Sequence, residues 1–223
     1  MAEAVYGLCE LHRDKIKGAR LIGNPGCYTT CSITALYPIV ASGCADNSSI
    51  IIDAKSGVTG AGRSASLPNL FCECTETMKA YKIATHRHTS EIEQELSHAA
   101  GEEIMVSFTP HLAPMKRGIL ATCYINLKEK KTTEEIVALY KDFYKDEPFI
   151  RVYDAGTLPE IKHIAGSNRV GIGVVVDERL GRAVIVSCVD NLIKGAAGQA
   201  IQNMNIMYGL KEDTGLDDIA MYL

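Results

Sequence analysis

Residues 49–69 read SIIIDAKSGVTGAGRSASLPN. A β-branched run ends in a glycine-rich loop, and the residues just past that loop decide the architecture. A doubly wound nucleotide fold would start a helix there, with its N-terminus under a pyrophosphate. Ser64–Asn69 instead carries Pro68, and the glycines stand at 57, 60 and 62, out of G-x-G-x-x-G order. The loop is therefore no dinucleotide fingerprint. It reads either as a flexible surface loop or as backbone brought close to a substrate or to the far end of a cofactor.

The elements on either side point the same way. Upstream, Leu8–Ala19 reads as a short helix, and Cys27 to about Ala41 as a longer one with an apolar stripe of Ile33, Leu36, Tyr37 and Val40. Downstream, Ala80–Ala84 reads as a strand. Ser90 with Glu93 gives a capping box for a helix with Ile92, Leu96 and Ala99 on its apolar face, stopping at Gly101. Strands come next at Glu103–Thr109 and Gly118–Leu127. Thr132 with Glu135 opens another helix, with Ile136, Leu139, Tyr140 and Phe143 inward. Arg169–Val176 and Ala183–Val189 form a hairpin about DERLGR. Leu192–Tyr208 is the last helix, and its Gly195 and Gly198 point to close packing. Strands in pairs between helices predict an α+β domain, its mixed or largely antiparallel sheet covered by helices on one face.

The 223 residues are 47% hydrophobic, enough for a sizeable core, and a formal charge of −4 gives no basic excess for nucleic acid or anionic lipid. No apolar run approaches the roughly 20 residues of a membrane span, and Met1–Val5 lacks the features of a secretory signal. The expectation is a cytoplasmic protein. The eight cysteines are irregularly spaced, Cys123 and Cys188 in strand-like runs, so reduced thiols are expected. Cys27-x3-Cys31, Cys72-x-Cys74 and His86-x-His88 do not match structural zinc spacings, and no metal is expected.

Chemistry concentrates in four places. Residues 23–32, GNPGCYTTCS, put Cys27 behind an Asn24-Pro25-Gly26 turn at the start of a helix, where free N–H groups and the macrodipole favour a thiolate. The alternative is a small buried residue that happens to open a helix. Residues 81–91, YKIATHRHTSE, place His86 and His88 on one side of an extended segment, with Arg87 pointing away and Glu91 in the next helical turn. A nucleophilic thiol needs such a base, oriented by a carboxylate; which histidine serves stays open. Residues 110–118, PHLAPMKRG, offer Lys116 and Arg117 to an anion or to solvent. Asn191 caps the last helix or meets an amide-bearing ligand.

Taken in order, GNPGCY, DAKSGVTGAGR, HRHTSEI, FTPHLAPMKRGI and VDNLIKGAAGQAIQNMN resemble the N-acetyl-gamma-glutamyl-phosphate reductases of arginine biosynthesis, from about Tyr6 to Asn205. The resemblance implies a domain of the glyceraldehyde-3-phosphate dehydrogenase-like C-terminal type. It implies that Cys27 is the nucleophile, that His88, or else His86, is the acid/base, and that Glu91 orients it. Tyr81, Arg117 and Asn24 would meet substrate, and Ser56, Gly57 and Asn191 the cofactor. The implied chemistry is NADPH-dependent reduction of an acyl phosphate through a cysteine thioester, in a homo-oligomer (dimer or tetramer). Relatives often carry proline where this chain has Thr29, a mild change in a first helical turn.

The family's glycine-rich nucleotide domain finds no match here. The expected division is 1–26 as the end of a cofactor domain, 27–190 as the catalytic and dimerisation domain, and 191–223 as a helix and tail that pack on the missing unit. The chain then reads as a fragment or split half that does not turn over alone. Two other readings remain: a related aspartate- or aminoadipate-type semialdehyde dehydrogenase, and a non-catalytic dimerisation module.

Overall fold

The computed structural model describes residues 3–221, so Met1, Ala2, Tyr222 and Leu223 lie outside it. Two short parallel strands, β1 (Val5–Tyr6) and β2 (Ile22–Gly23), flank helix α1 (Cys9–Lys17). Helix α2 (Cys27–Ala41) leads to β3 (Ala45–Ser56), a 3-10 turn at Val58–Ala61, the short α3 (Phe71–Cys74) and β4 (Lys79–Ala80). Then come α4 (His88–Ala100), β5 (Ser107–Leu112), β6 (Ile119–Leu127), α5 (Thr133–Phe143) and β7 (Ile150–Val152). The hairpin β8 (Val170–Asp177) and β9 (Arg182–Val189) precedes a π-helical turn at Ile193–Ala197 and helix α6 (Gly198–Met207).

Strands β3 to β9 form one sheet in the order β4-β5-β3-β6-β9-β8-β7. The pairs β3–β5 and β7–β8 are parallel and the other pairs antiparallel, so the sheet is mixed, as the α+β reading requires. Period-two alternation divides its faces. Ile52, Ala54, Ala121, Cys123, Ile125, Ile172, Val174, Ala183 and Ile185 are buried beneath the helices. On the opposite face, Ile51, Tyr124, Val184 and Val175 lie in direct register across four strands. Ile51 and Val175 there stay 41% and 40% exposed.

Helix α2 is the hub, packing on β6 and β9 and against α4 and α5. Its expected apolar stripe is only part of its contact surface. Cys31, Thr34 and Ser32 on the other faces are fully buried too, and Cys31 Sγ donates to the Ser187 carbonyl at 3.4 Å. Small side chains let the helix approach the sheet closely. Pro38 sits inside α2 and removes the N–H that would reach the Thr34 carbonyl. The Tyr144 hydroxyl donates to that carbonyl at 2.8 Å, and Tyr140 donates to Ala35 O beside it. The Tyr144 hydroxyl thus replaces the bond that proline deletes.

Five expectations change. The strand expected at Glu103–Thr109 lies later, as β5 at Ser107–Leu112, where it pairs with β3. The Ala80–Ala84 strand stops at Ala80, because Lys82 and Ala84 take positive φ values of 45° and 56° and cannot continue it. The Ser90–Glu93 capping box does not form: α4 begins earlier, at His88, and Glu93 accepts from the Val106 N–H instead. Phe143 is 40% exposed, while Val137 is buried in its place; the Thr132–Glu135 capping box does form. The Leu192–Tyr208 helix breaks into the π turn and α6.

The end segments, expected as separate regions, meet each other. Helix α1 packs on α6 around a small core of Cys9, Ile16 and Ile206. The polarity of α6 is inverted for a surface helix. Gln199, Gln202, Asn203 and Asn205 are buried, whereas Ile201, Met204 and Tyr208 are exposed. Among the described residues, no helix is long and apolar enough to cross a membrane.

Candidate active site

Two helix starts converge on one cleft. Cys27 is the first residue of α2, and the peptide before it is extended at Gly26 (ψ 165°), which turns the chain abruptly into the helix. His88 is the first residue of α4. Two glycines permit the convergence. A Cβ on Gly26 would lie 2.2 Å from His88 Nε2, and one on Gly195 would lie 2.6 Å from Cys27 Cβ. The histidine ring and the π turn therefore press directly on the peptides around the thiol. Within that turn the Gly195 N–H reaches back to the Asp190 carbonyl at 2.8 Å, the wide i→i−5 bond that places Gly195 there. Close packing, the reason the sequence suggested for Gly195, is what it shows.

The cleft has a volume of about 930 Å³ and is lined by Cys27, His86, His88, Tyr81, Asn24, Ser56, Gly57 and Asn191, among others. The structure thus gathers these eight sequence-selected residues at one place. A smaller concavity of about 150 Å³ near Thr132 and Gly181 holds no thiol or imidazole.

Individual placements differ from the expectations. The His86–His88 segment is a turn running into a helix, not an extended strand, yet the rings still meet at 4.7 Å, edge to face. Because of that turn, Arg87 does not point away: it lines the cleft. Glu91 hydrogen-bonds neither ring; it accepts from the Tyr6 hydroxyl at 3.0 Å, and His88 Nδ1 is buried with no partner. Arg117 lies outside the cleft lining, its guanidinium held by the buried carboxylate of Asp190 at 2.8–3.2 Å. Asp190, not Asn191, caps the last helical segment, accepting from the N–H groups of Leu192 and Ile193. Asn191 ties two loops together, accepting from Gly118 N–H at 2.7 Å and donating to Thr59 at 2.9 Å. Asn24 bridges Ala196 O and the Asn203 amide.

The electrostatics also differ from the thiolate expected at a helix start. Burial pushes the Cys27 thiol above its ordinary value; the N–H groups of Tyr28 and Cys27 itself, and the Arg87 charge, pull it down but do not prevail. Burial lowers His88 to about 4, with Arg87 adding to the shift. Burial, then the neighbouring His88, Lys82 and Arg87, lower His86 to about 4. At neutral pH the cleft therefore holds a protonated thiol and neutral imidazoles, not a thiolate and an imidazolium. The remaining charges lining the cleft are Lys79, Lys82 and Arg87, and no carboxylate lines it. An acidic protein has thus made a cationic cleft. Sequence reasoning sent Arg87 the wrong way and passed over Lys79 and Lys82; the signal for Lys82 was its place on the same segment as the histidines.

A model of the semialdehyde dehydrogenase dimerisation domain matches residues 27–191. A protein from Acetivibrio thermocellus, named N-acetyl-gamma-glutamyl-phosphate reductase, is 61% identical over 99% of this chain and 64% of its own length. One of the same name from Symbiobacterium thermophilum is 58% identical over 97% and 62%, respectively. The chain spans just under two thirds of the length of these relatives. Aspartate semialdehyde dehydrogenase II from Vibrio cholerae superposes with a TM-score of 0.73 over 93% of this chain and 69% of its own, at 17% identity, which shows a shared fold. By the span of the matched model, this chain belongs to the semialdehyde dehydrogenase dimerisation-domain family.

Proposed function

We propose that this chain carries the catalytic centre of an N-acetyl-gamma-glutamyl-phosphate reductase, which converts an acyl phosphate to an aldehyde through a thioester on Cys27. The observation that carries this reading is the cleft itself: a thiol and an imidazole, each at the start of a helix, in a site whose other charges are all positive. Neutral His88 takes the thiol proton as sulfur attacks the acyl carbon; the C–S bond forms, the C–O bond to phosphate breaks, and Lys82 and Arg87 offset the phosphate charge. Free N–H groups at the start of α2 face the oxygen on which charge develops. NADPH, when bound, supplies the hydride that reduction of a thioester requires. Protonated His88 gives its proton to that oxygen, takes it back as the C–S bond breaks, and returns it to Cys27.

For the nicotinamide end, Ser56, Gly57 and Asn191 fit. An amide has two donor hydrogens and two acceptor lone pairs, and Asn191 uses one of each, leaving one of each for a carboxamide. For the adenosine and pyrophosphate end the sequence offers no fingerprint. A pair of two-residue parallel strands is marginal without a larger sheet, and α6 presents Ile201, Met204 and Tyr208 outward. Residues 5–24 and α6 would therefore dock on a dinucleotide-binding unit of the kind this enzyme class needs. The 223-residue chain alone should bind NADPH weakly and not turn over. Titration calorimetry on it, beside NADPH-oxidation assays of the protein at the length of its relatives, tests both halves. Tight NADPH binding by the short chain would overturn the docking reading. Preference of the long form for aspartyl phosphate would overturn the substrate assignment.

The same reading includes a homo-oligomer of a protein that works in the cytoplasm. The row Ile51–Tyr124–Val184–Val175 crosses the part of the sheet face opposite the helices that Leu158, Pro159 and Ile164, packed on Gly171 and Gly173, leave open, and a second copy is the occupant that a dimerisation domain implies. Val184→Lys should shift the mass measured by light scattering from dimer to monomer; an unchanged mass would remove this face from the interface.

A further inference from the structure

The half-buried ring of His86 has both nitrogens occupied, and its partners dictate where its proton sits. Nδ1 accepts the backbone N–H of His88 at 3.1 Å, so Nδ1 carries no proton. A neutral imidazole then bears its hydrogen on Nε2, which lies 3.5 Å from the Tyr81 hydroxyl. Tyr81 donates to the Tyr28 hydroxyl at 3.3 Å, and Tyr28 donates to the His111 carbonyl at 2.9 Å. A carbonyl only accepts and a backbone N–H only donates, so the chain is polarised from both ends. His86 Nε2–H gives to Tyr81, Tyr81 to Tyr28, and Tyr28 to β5. No position in this chain is left for a proton to arrive from substrate.

The start of α4 supplies a second observation. The first four N–H groups of a helix have no partner within it, and the residue before His88, Arg87, provides no side-chain cap. His86 supplies that acceptor. The rings of Tyr28, Tyr81 and Phe108 meet His86 edge to face, with centroids 5.5–5.6 Å apart, and hold it. The segment before it includes Lys82 and Ala84 at positive φ, a strained approach that the surrounding structure must maintain.

We propose that His86 is a positioning residue: a ring of fixed Nε2–H tautomer that caps the helix bearing His88 and thereby sets the His88 imidazole against Gly26 and the Cys27 turn. Its catalytic consequence rests on His88 being the acid/base of the proposed reaction; its tautomer and its cap do not.

Long-range proton–nitrogen correlation spectra of the labelled 223-residue chain read the tautomer without any assay. His86 should keep the Nε2–H pattern from about pH 5 to 8, the span in which an unperturbed histidine titrates. An Nδ1–H pattern, or titration within that span, would overturn the inference. His86→Asn and His86→Ala separate positioning from proton transfer, because the asparagine carboxamide can accept the His88 N–H but cannot carry a proton through the cycle. His86→Ala should expose the His88 amide to hydrogen exchange, and His86→Asn should restore its protection; equal exchange in both would overturn the cap. In the protein at the length of its relatives, kcat should fall roughly 10- to 100-fold in His86→Ala, with about tenfold of it recovered in His86→Asn. An equal loss of about 100-fold or more in both would mark His86 as a proton carrier. Absence of reductase activity in the unsubstituted long form would count against the function alone, since the spectra and the exchange data stand apart from it.

Discussion

Cys27→Ser should lower turnover of the acyl phosphate by about 10³-fold or more, measured as NADPH oxidation by the protein at the length of its relatives. The size of the effect comes from the weakness of the available base. His88 is neutral and weakly basic, held at about 4 by burial, so it can assist a thiol but not a far less acidic hydroxyl. The α2 N-terminus and Arg87 favour an anion at Cys27, yet desolvation outweighs them. That balance sets the direction with pH. A thiol raised above its ordinary value stays protonated through neutrality, and its thiolate fraction grows only as pH climbs past about 8.5. Alkylation of Cys27 by iodoacetamide in the unsubstituted chain should therefore accelerate with pH beyond that point. A plateau reached well below it would mean that the helix terminus prevails over burial, and that the resting nucleophile is already ionised. Residual turnover in Cys27→Ser within tenfold of the parent would remove the covalent step altogether.

Much of this site was legible in the sequence because it rests on local rules. A turn of Asn, Pro and Gly ahead of a thiol fixed the start of α2 at Cys27, and the structure begins the helix at that residue. Paired strands between helices implied the mixed sheet, and glycines in the last helix implied close approach. The misses are nonlocal or arise where two local rules compete. An S-x-x-E pattern looked like a capping box, but the helix gained three more residues because a histidine side chain supplied the acceptor from outside. The alternation argument sent Arg87 away from the histidines, and it failed because Lys82 and Ala84 turn the chain out of the extended region. Glu91 and Arg117 are drawn off by partners at positions 6 and 190, and nothing near them in sequence announces those contacts. The direction of the Cys27 shift depended on burial, which a helix-start argument does not contain.

Lys194→Ala should destabilise the fold by about 3–5 kcal/mol, roughly 10 °C in thermal unfolding for a chain of this size. Lys194 and the Glu10 side chain are fully buried, their Nζ and Oε1 atoms 2.5 Å apart, and Gln202 accepts from the same ammonium at 2.6 Å. Removing the cation leaves a carboxylate in the interior with a backbone N–H and the Gln202 amide as donors but no counter-charge, and a buried charge without a counter-charge costs far more than the pair contributes. The response to pH should reverse with the substitution. In the parent, burial raises the Glu10 pKa, but Lys194 and the hydrogen bonds outweigh it and the net shift is downward. Its contribution is thus present above the unfolded value of about 4.3 and lost as pH falls through the folded one. In Lys194→Ala burial prevails, the folded pKa rises above the unfolded one, and the penalty is relieved by protonation. The gap in unfolding temperature between parent and variant should therefore narrow from pH 7 towards about pH 5. A gap that stays constant would mean that Glu10 is not the group left uncompensated. The pair also bears on chemistry: it joins α1 to the π turn one residue before Gly195, which packs on Cys27. Combining Lys194→Met with Glu10→Leu removes both charges while keeping apolar volume, and it should recover most of the stability. Should Cys27 alkylation stay altered in that stable double variant, the ion pair sets the position of Gly195 as well as the strength of the fold.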